Sequence, residues 1–305
     1  MRYRFITADV FTDRIFGGNP LAVLPDARAL GSGQMQSIAR EFNLSETVFV
    51  LPPDDPAHDR KLRIFTPAQE VPFAGHPTVG SALVLAATGA IELAGETTRI
   101  TFEEPAGPVP VTIRAPGGKA SFAELTAPVA PELHPAPAPD AIAAMLSLTP
   151  ADLRTDAGLP EFASCGFPLL IVELADAAAL GRARLDHAIW RELLADAWTK
   201  EVYLVTRDAA GADADFRVRM FAPAAGIEED PATGGAAAAF GGWLGLREAP
   251  ADGTQHHVIA QGLEIGRPSR LEVEVEKRAG QVAAVRVGGG AVLVSEGTIE
   301  APAAD

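Results

Sequence analysis

The sequence predicts an α/β (α+β) protein of two similar halves, each a sheet wrapped around a buried central helix, and three observations carry that prediction. The chain has 305 residues, more than the roughly 100–200 of one ordinary domain. A helix opening at Gly75-His76-Pro77 is apolar nearly all round, which suits the middle of a domain better than its surface. Finally, Phe65-Thr66-Pro67-Ala68 in the first half is echoed by Phe221-Ala222-Pro223-Ala224 half the chain later.

The elements follow in order. Tyr3 to Phe11 reads as a strand, turned by Gly17-Gly18-Asn19-Pro20 into a short apolar strand over Leu21 to Leu24. Ser32 is placed to cap a helix through Phe42, because Met35, Ile38, Ala39 and Phe42 share one helical face, and Asn43 ends it. Ser45 to Leu51 alternates as a strand with Glu46 on the face of Val48 and Val50, so Glu46 leans towards a core. A strand over Leu62 to Phe65 leads to the apolar helix, which Pro77 opens and which runs to about Ala87. Strands near Thr98 to Phe102 and Val109 to Ile113 follow.

A Pro/Ala-rich passage from Ala127 to Pro139 breaks the periodicity, and a domain boundary is expected there. The expected domains are residues 1–126, joined by a last strand at about 290–305, and residues 127–289. In the second, Asp140 is placed to cap a helix to Leu148, and Leu169 to Leu174, Lys200 to Thr206 and Phe216 to Phe221 read as strands. Gly288-Gly289-Gly290 reads as a turn.

The composition narrows the function. With 48% hydrophobic residues the chain can fill a core. The formal charge of -15 repels phosphate backbones and anionic lipid, so nucleic acid and membrane are not expected partners. Cys165 is the single cysteine, which fits a reducing, cytoplasmic setting and leaves no Cys-based zinc site. No run approaches the roughly 20 apolar residues of a membrane helix.

The echo locates a candidate site. Each copy ends a strand, crosses a loop and opens a Gly/Ala-rich helix with a polar residue before Pro, His76-Pro77-Thr78 in one and Asp230-Pro231-Ala232 in the other. A cleft between the halves, receiving both helix N-termini, is the expected ligand site. Free N–H groups there attract anions, with Gly75, Gly234 and Gly235 leaving the backbone unshielded. Without a Walker-type loop for phosphate, a small carboxylate is the expected guest.

Glu46, His76 and Asp230 are the side chains there that titrate usefully. A Glu opening an apolar strand is ordinarily a solvated strand end, and a His or Asp before Pro is ordinarily a helix cap. If buried, Glu46 would instead be raised towards the range useful for proton transfer. The six histidines, at 58, 76, 134, 187, 256 and 257, show no metal-pair spacing, and no Gly-x-Ser-x-Gly elbow or dinucleotide fingerprint occurs. Neither metal nor cofactor is expected. Cys165, before an apolar strand, reads as a buried core thiol.

Several ordered segments together resemble the PhzF-like family of phenazine biosynthesis, which shares its fold with diaminopimelate epimerase. They are Asp9 to Thr12 with Gly18 to Val23; Asn43-Leu44-Ser45-Glu46-Thr47; Phe65-Thr66-Pro67 through Gly75-His76-Pro77-Thr78; Gly226 through Asp230-Pro231-Ala232-Thr233-Gly234; and Gln261-Gly262 with Gly266 to Ser269. The resemblance implies curved, mostly antiparallel sheets around each central helix, a site between the domains, and a homodimer. It implies that Glu46 is the proton-shuttling acid/base, that His76 and Asp230 contact a small anionic metabolite, and that Gly75, His76, Thr233, Gly234, Gly235 and Asn19 help bind it.

The family commonly has Ser where this chain has Gly235, so the resemblance implies a substrate other than the phenazine precursor itself. Paired Cys residues of the related epimerases are absent from these loops, which excludes a two-thiol mechanism. The expectation is an isomerase that shifts a proton on a carboxylate-bearing metabolite. Two alternatives stand beside it: epimerisation by two non-thiol bases, Glu46 with His76 or Asp230, and a binding protein without catalysis.

Overall fold

In the computed structural model, which describes residues 1–156, 158–248 and 251–303, the alternating first segment forms β1 (Arg2–Val10). It pairs antiparallel with β2 (Asn19–Leu24), Val10 against Asn19. The turn between them needs Gly18, whose φ is +58 and whose Cβ would fall 2.2 Å from the Val10 carbonyl oxygen. The chain divides into two compact units, Met1–Pro128 with Val287–Asp305 and Val129–Arg286.

In the first unit, α1 (Ser32–Phe42) buries Met35, Ile38 and Ala39 as its periodicity predicts, and Asn43 closes it in the left-handed region at φ 52. Ser32 is not its cap. Gly31 takes that position, its N–H held by Gln34 Oε1 at 2.9 Å, while Ser32 Oγ accepts from Arg63. The helix covers one face of the sheet with Leu24, Phe49 and Phe65. β3 (Glu46–Leu51) runs parallel to β2 and antiparallel to β4 (Arg60–Phe65), which continues into the two-residue β5 (Glu70–Val71).

On the other face lies α2 (Gly75–Ala87), buried from Gly75 to Ala86. It packs flush: a Cβ on Gly80 would come within 2.6 Å of Leu21 and Val10. β6 (Thr97–Glu104) returns parallel to β4 and continues the sheet antiparallel through β7 (Gly107–Arg114) and β8 (Phe122–Thr126).

The second unit repeats this order. The Pro/Ala-rich passage is not wholly irregular, because Glu132–Pro135 forms β9 on the edge beside β10 (Glu161–Ser164), where proline's missing N–H costs no ladder bond. α3 (Pro139–Met145) starts with Pro139 at its first position after Ala138, so Asp140 lies inside the first turn and is not the cap. β11 (Leu169–Glu173) pairs antiparallel with β10. α4 (Ala177–Arg182) and α5 (His187–Leu193) follow, each capped by an aspartate, Asp176 and Asp186.

β12 (Val202–Thr206) is parallel to β11 and antiparallel to β13 (Phe216–Ala222), which pairs with β14 (Ile227–Asp230). Helices α3 to α5 cover Leu170, Val202, Leu204 and Phe221 on one face. Against the other lies α6 (Gly234–Arg247), whose Gly241 and Gly245 would clash with valines of the sheet if they carried a Cβ. β15 (Gly253–Gln261) is parallel to β13 and antiparallel to β16 (Ser269–Arg278).

β17 (Gln281–Gly289) leads the chain back into the first unit at Val287. The predicted glycine turn is therefore mostly strand: Gly288 and Gly289 end β17, and Gly290 alone connects to β18 (Ala291–Glu300). A Cβ on Gly288 would press on Phe122, Ala123 and Glu124, so the glycines allow close strand approach. β18 pairs antiparallel along β1, from Arg2 against Glu300 to Val10 against Ala291.

Candidate active site

In the first unit, register sets the geometry. Leu21 of β2 stands beside Glu46 of β3, and the Leu21 side chain packs on Gly80 of α2, so Glu46 shares the face that receives the central helix. Asn19, two residues before Leu21, lies on the same face and is fully buried. Glu46 keeps only 14% of its side-chain surface exposed, and its Oε2 stands 3.3 Å from His76 Nε2.

His76 is not a helix cap. Ala74 holds that position, and Gly75 and His76 are the first two residues of α2. Burial pulls the His76 imidazole down to about 3, so the ring is neutral at ordinary pH. It meets Glu46 as a neutral dipole and not as a cation.

Glu104, at the end of β6, secures this helix start and went unnoticed in the sequence. Thr78 Oγ1 lies 2.5 Å from Glu104 Oε1 and 2.8 Å from the Ala74 carbonyl oxygen. Burial pushes Glu104 up to about 8, against the opposing effect of bonds from Thr78 and the Ala74 N–H.

The second unit carries the other predicted residues. Asp230 does not open α6: it ends β14, opposite Met220, and the helix begins at Gly234 with Thr233 as its cap residue. The position matching His76 at the helix start is thus Gly235, and the expected alignment of His76 with Asp230 is corrected. The cause is strand pairing, which holds Asp230 in the sheet before the chain turns.

Asp230 is buried, and its Oδ2 accepts from Thr233 Oγ1 at 2.5 Å. Gln261 completes the group: its Nε2 donates to the Asp230 carbonyl at 2.8 Å and to Thr233 Oγ1 at 3.0 Å, and its Oε1 accepts from the Thr233 N–H at 3.2 Å. Gly234 and Gly235 are buried, and a Cβ on Gly235 would lie 3.0 Å from the Phe167 Cβ. Phe167 therefore covers the space that a Ser side chain would enter.

Glu201 and Tyr203, also missed in the sequence, lie near Asp230. Burial first, and the Asp230 charge second, push Glu201 up to about 7; the same two causes raise Tyr203. Counting back from Phe221 as far as Glu46 stands before Phe65 falls on Val202, one residue past Glu201, so the echo alone would not have exposed it. Cys165 is buried, with its thiol pushed up to about 12 by burial, and the adjacent His256 and His257 share β15.

A family model described as phenazine biosynthesis-like protein matches residues 8–297. The chain is 45% identical over 301 residues to an uncharacterized isomerase of Mesorhizobium japonicum, a match covering 97% of this chain and 98% of that one. It is 34% identical over 304 residues to the trans-2,3-dihydro-3-hydroxyanthranilate isomerase of Pseudomonas aeruginosa, again covering 97% and 98%. The fold is similar to that of a Bacillus anthracis phenazine biosynthesis protein of the PhzF family, with TM-score 0.88 at 26% identity over 98% of this chain and 99% of that one.

Proposed function

Since this isomerase belongs to the phenazine biosynthesis-like, PhzF-like family, we propose that it shifts a proton on a small carboxylate-bearing metabolite, without a cofactor, using Glu46 as the acid/base. The observation that carries this reading is the 3.3 Å approach of Glu46 to a buried, neutral His76 at the start of α2. A carboxylate held there, largely out of water, is poised to take a proton from carbon and return it elsewhere.

His76 supports that role without sharing it. A ring pulled down to about 3 is too weak a base to remove a proton from carbon near neutral pH, so it serves as a neutral hydrogen-bonding group to Glu46 or the substrate. This favours the proton shift over epimerisation by Glu46 with His76. Backbone N–H groups at Gly75 and His76, and at Gly234 and Gly235 with Thr233, would hold the anionic groups of the substrate, with Asn19 and Asp230 as polar contacts.

The trans-2,3-dihydro-3-hydroxyanthranilate isomerized by the Pseudomonas relative is the natural first substrate to try. Phe167 over Gly235 supports a different, related carboxylate. The test follows solvent deuterium into that compound and a panel of small cyclic and amino-acid-like carboxylates, with wild type and Glu46→Gln. Loss of exchange by about 10²–10⁴-fold in the variant is expected; unchanged exchange removes Glu46 from the mechanism.

A further inference from the structure

Of the segments that resemble the family, Gln261-Gly262 with Gly266 to Ser269 takes no part in the proton shift itself. It ends β15, turns and begins β16, and within the second unit it lies against the turn that follows Asp230. Two contacts seat that turn. Ser269 Oγ donates to the Pro231 carbonyl at 2.8 Å, and a Cβ on Gly262, whose φ is +74, would fall 2.7 Å from the same oxygen. Both act on the backbone alone.

Gln261 acts on a side chain as well. It is fully buried, and two backbone groups fix which way its amide lies: the Asp230 carbonyl can only accept, and the Thr233 N–H can only donate. The second Nε2 hydrogen goes to Thr233 Oγ1 at 3.0 Å. The Thr233 hydroxyl accepts there and directs its own single hydrogen to Asp230 Oδ2, at 2.5 Å. The chain of bonds runs one way, from Gln261 through Thr233 to the Asp230 carboxylate.

This diverts Thr233 from its ordinary task. It is the cap residue of α6, where a threonine side chain commonly accepts from a backbone N–H of the first turn, yet its side chain makes no cap bond. The hydroxyl serves Asp230 and not the helix.

We propose that Gln261 is a positioning residue of this isomerase: through the Thr233 hydroxyl it holds Asp230 as a hydrogen-bond acceptor for a donor group of the carboxylate-bearing substrate. This rests on the reading of Asp230 as a substrate contact. With Oδ2 tethered, the Asp230 carboxylate is kept in one orientation before the substrate arrives. Without Gln261, the Thr233 hydroxyl is released to cap α6 and the tether is lost. The loss falls on substrate binding and leaves proton transfer by Glu46 intact.

The experiment measures KM and kcat for exchange of a panel carboxylate, with the melting temperature of each variant. Gln261→Met keeps the bulk of the side chain, and Gln261→Glu keeps its shape and the acceptor for the Thr233 N–H; neither keeps the donor to Thr233. Each of these, and Thr233→Val, is expected to raise KM about 10-fold or more while kcat stays within about threefold. Thr233→Val combined with either Gln261 variant should do no more than one alone, because both break the same chain. Ser269→Ala, which loosens the turn and leaves that chain, should lower the melting temperature and hold KM within about twofold. An unchanged KM in Thr233→Val or in a folded Gln261 variant, additive effects in the pair, or an equal rise of KM in Ser269→Ala overturns the proposal. An unchanged KM in Asp230→Asn, or no exchange of any panel member by wild type, fails the underlying reading instead, and the role of Gln261 falls with it.

Discussion

Glu104 Oε1 lies 2.5 Å from Thr78 Oγ1, a hydroxyl that also reaches the Ala74 carbonyl oxygen at 2.8 Å. With a folded value near 8 against 4.5 unfolded, the folded state holds the extra proton between those limits. The stability it contributes is full below about 4.5 and is lost as pH rises through 8. Glu104→Gln keeps a donor and an acceptor, and its melting temperature should decline less over this range.

His76 acts in the opposite sense. Its folded value of about 3 lies below the unfolded 6.5, so its contribution is full above 6.5 and drains away as pH falls towards 3. Replacing it with Gln should flatten the acid side of a thermal-melt series and leave the alkaline side to Glu104. A His76 ring signal that titrates near pH 6.5 by NMR would contradict this.

Gly235→Ala is expected to cost about 1–3 kcal/mol in urea unfolding, because the new Cβ meets the rigid Cβ end of Phe167 at 3.0 Å. The cost should shrink in a Phe167→Ala background, where the loop can withdraw. Strict additivity of the two substitutions would show that they do not touch.

Gly80→Ala tests the seating of α2. Both atoms it meets at 2.6 Å, from Leu21 and Val10, belong to side chains buried beneath the helix, and a loss of about 1–3 kcal/mol is expected. The Cys165 thiol, pushed up to about 12, should remain unmodified by a thiol reagent at pH 8 until the protein is unfolded.

The central helix was legible because Thr78 to Ala87 offers no polar face to water, and its observed span, Gly75–Ala87, follows directly. The second helix start was misread because Pro231 imitates Pro77, whereas pairing with Met220 keeps Asp230 in a strand. Glu46 and His76 were singled out from local motifs and family resemblance, but their 3.3 Å approach arises from sheet register and helix packing. Glu104 and Glu201 look like ordinary strand-end glutamates in the sequence. What sets them apart is burial, a property of the neighbours and not of the residues themselves.

The pairing of β18 along β1, with the Ala301 N–H donating to the Met1 carbonyl at 2.9 Å, shapes how the protein emerges during synthesis. The ribosome releases β1 early and β18 only after every residue of Val129–Arg286. The interrupted unit must therefore wait with one flank of β1 bare, while the inserted unit, continuous in the chain, has all its strands in hand first.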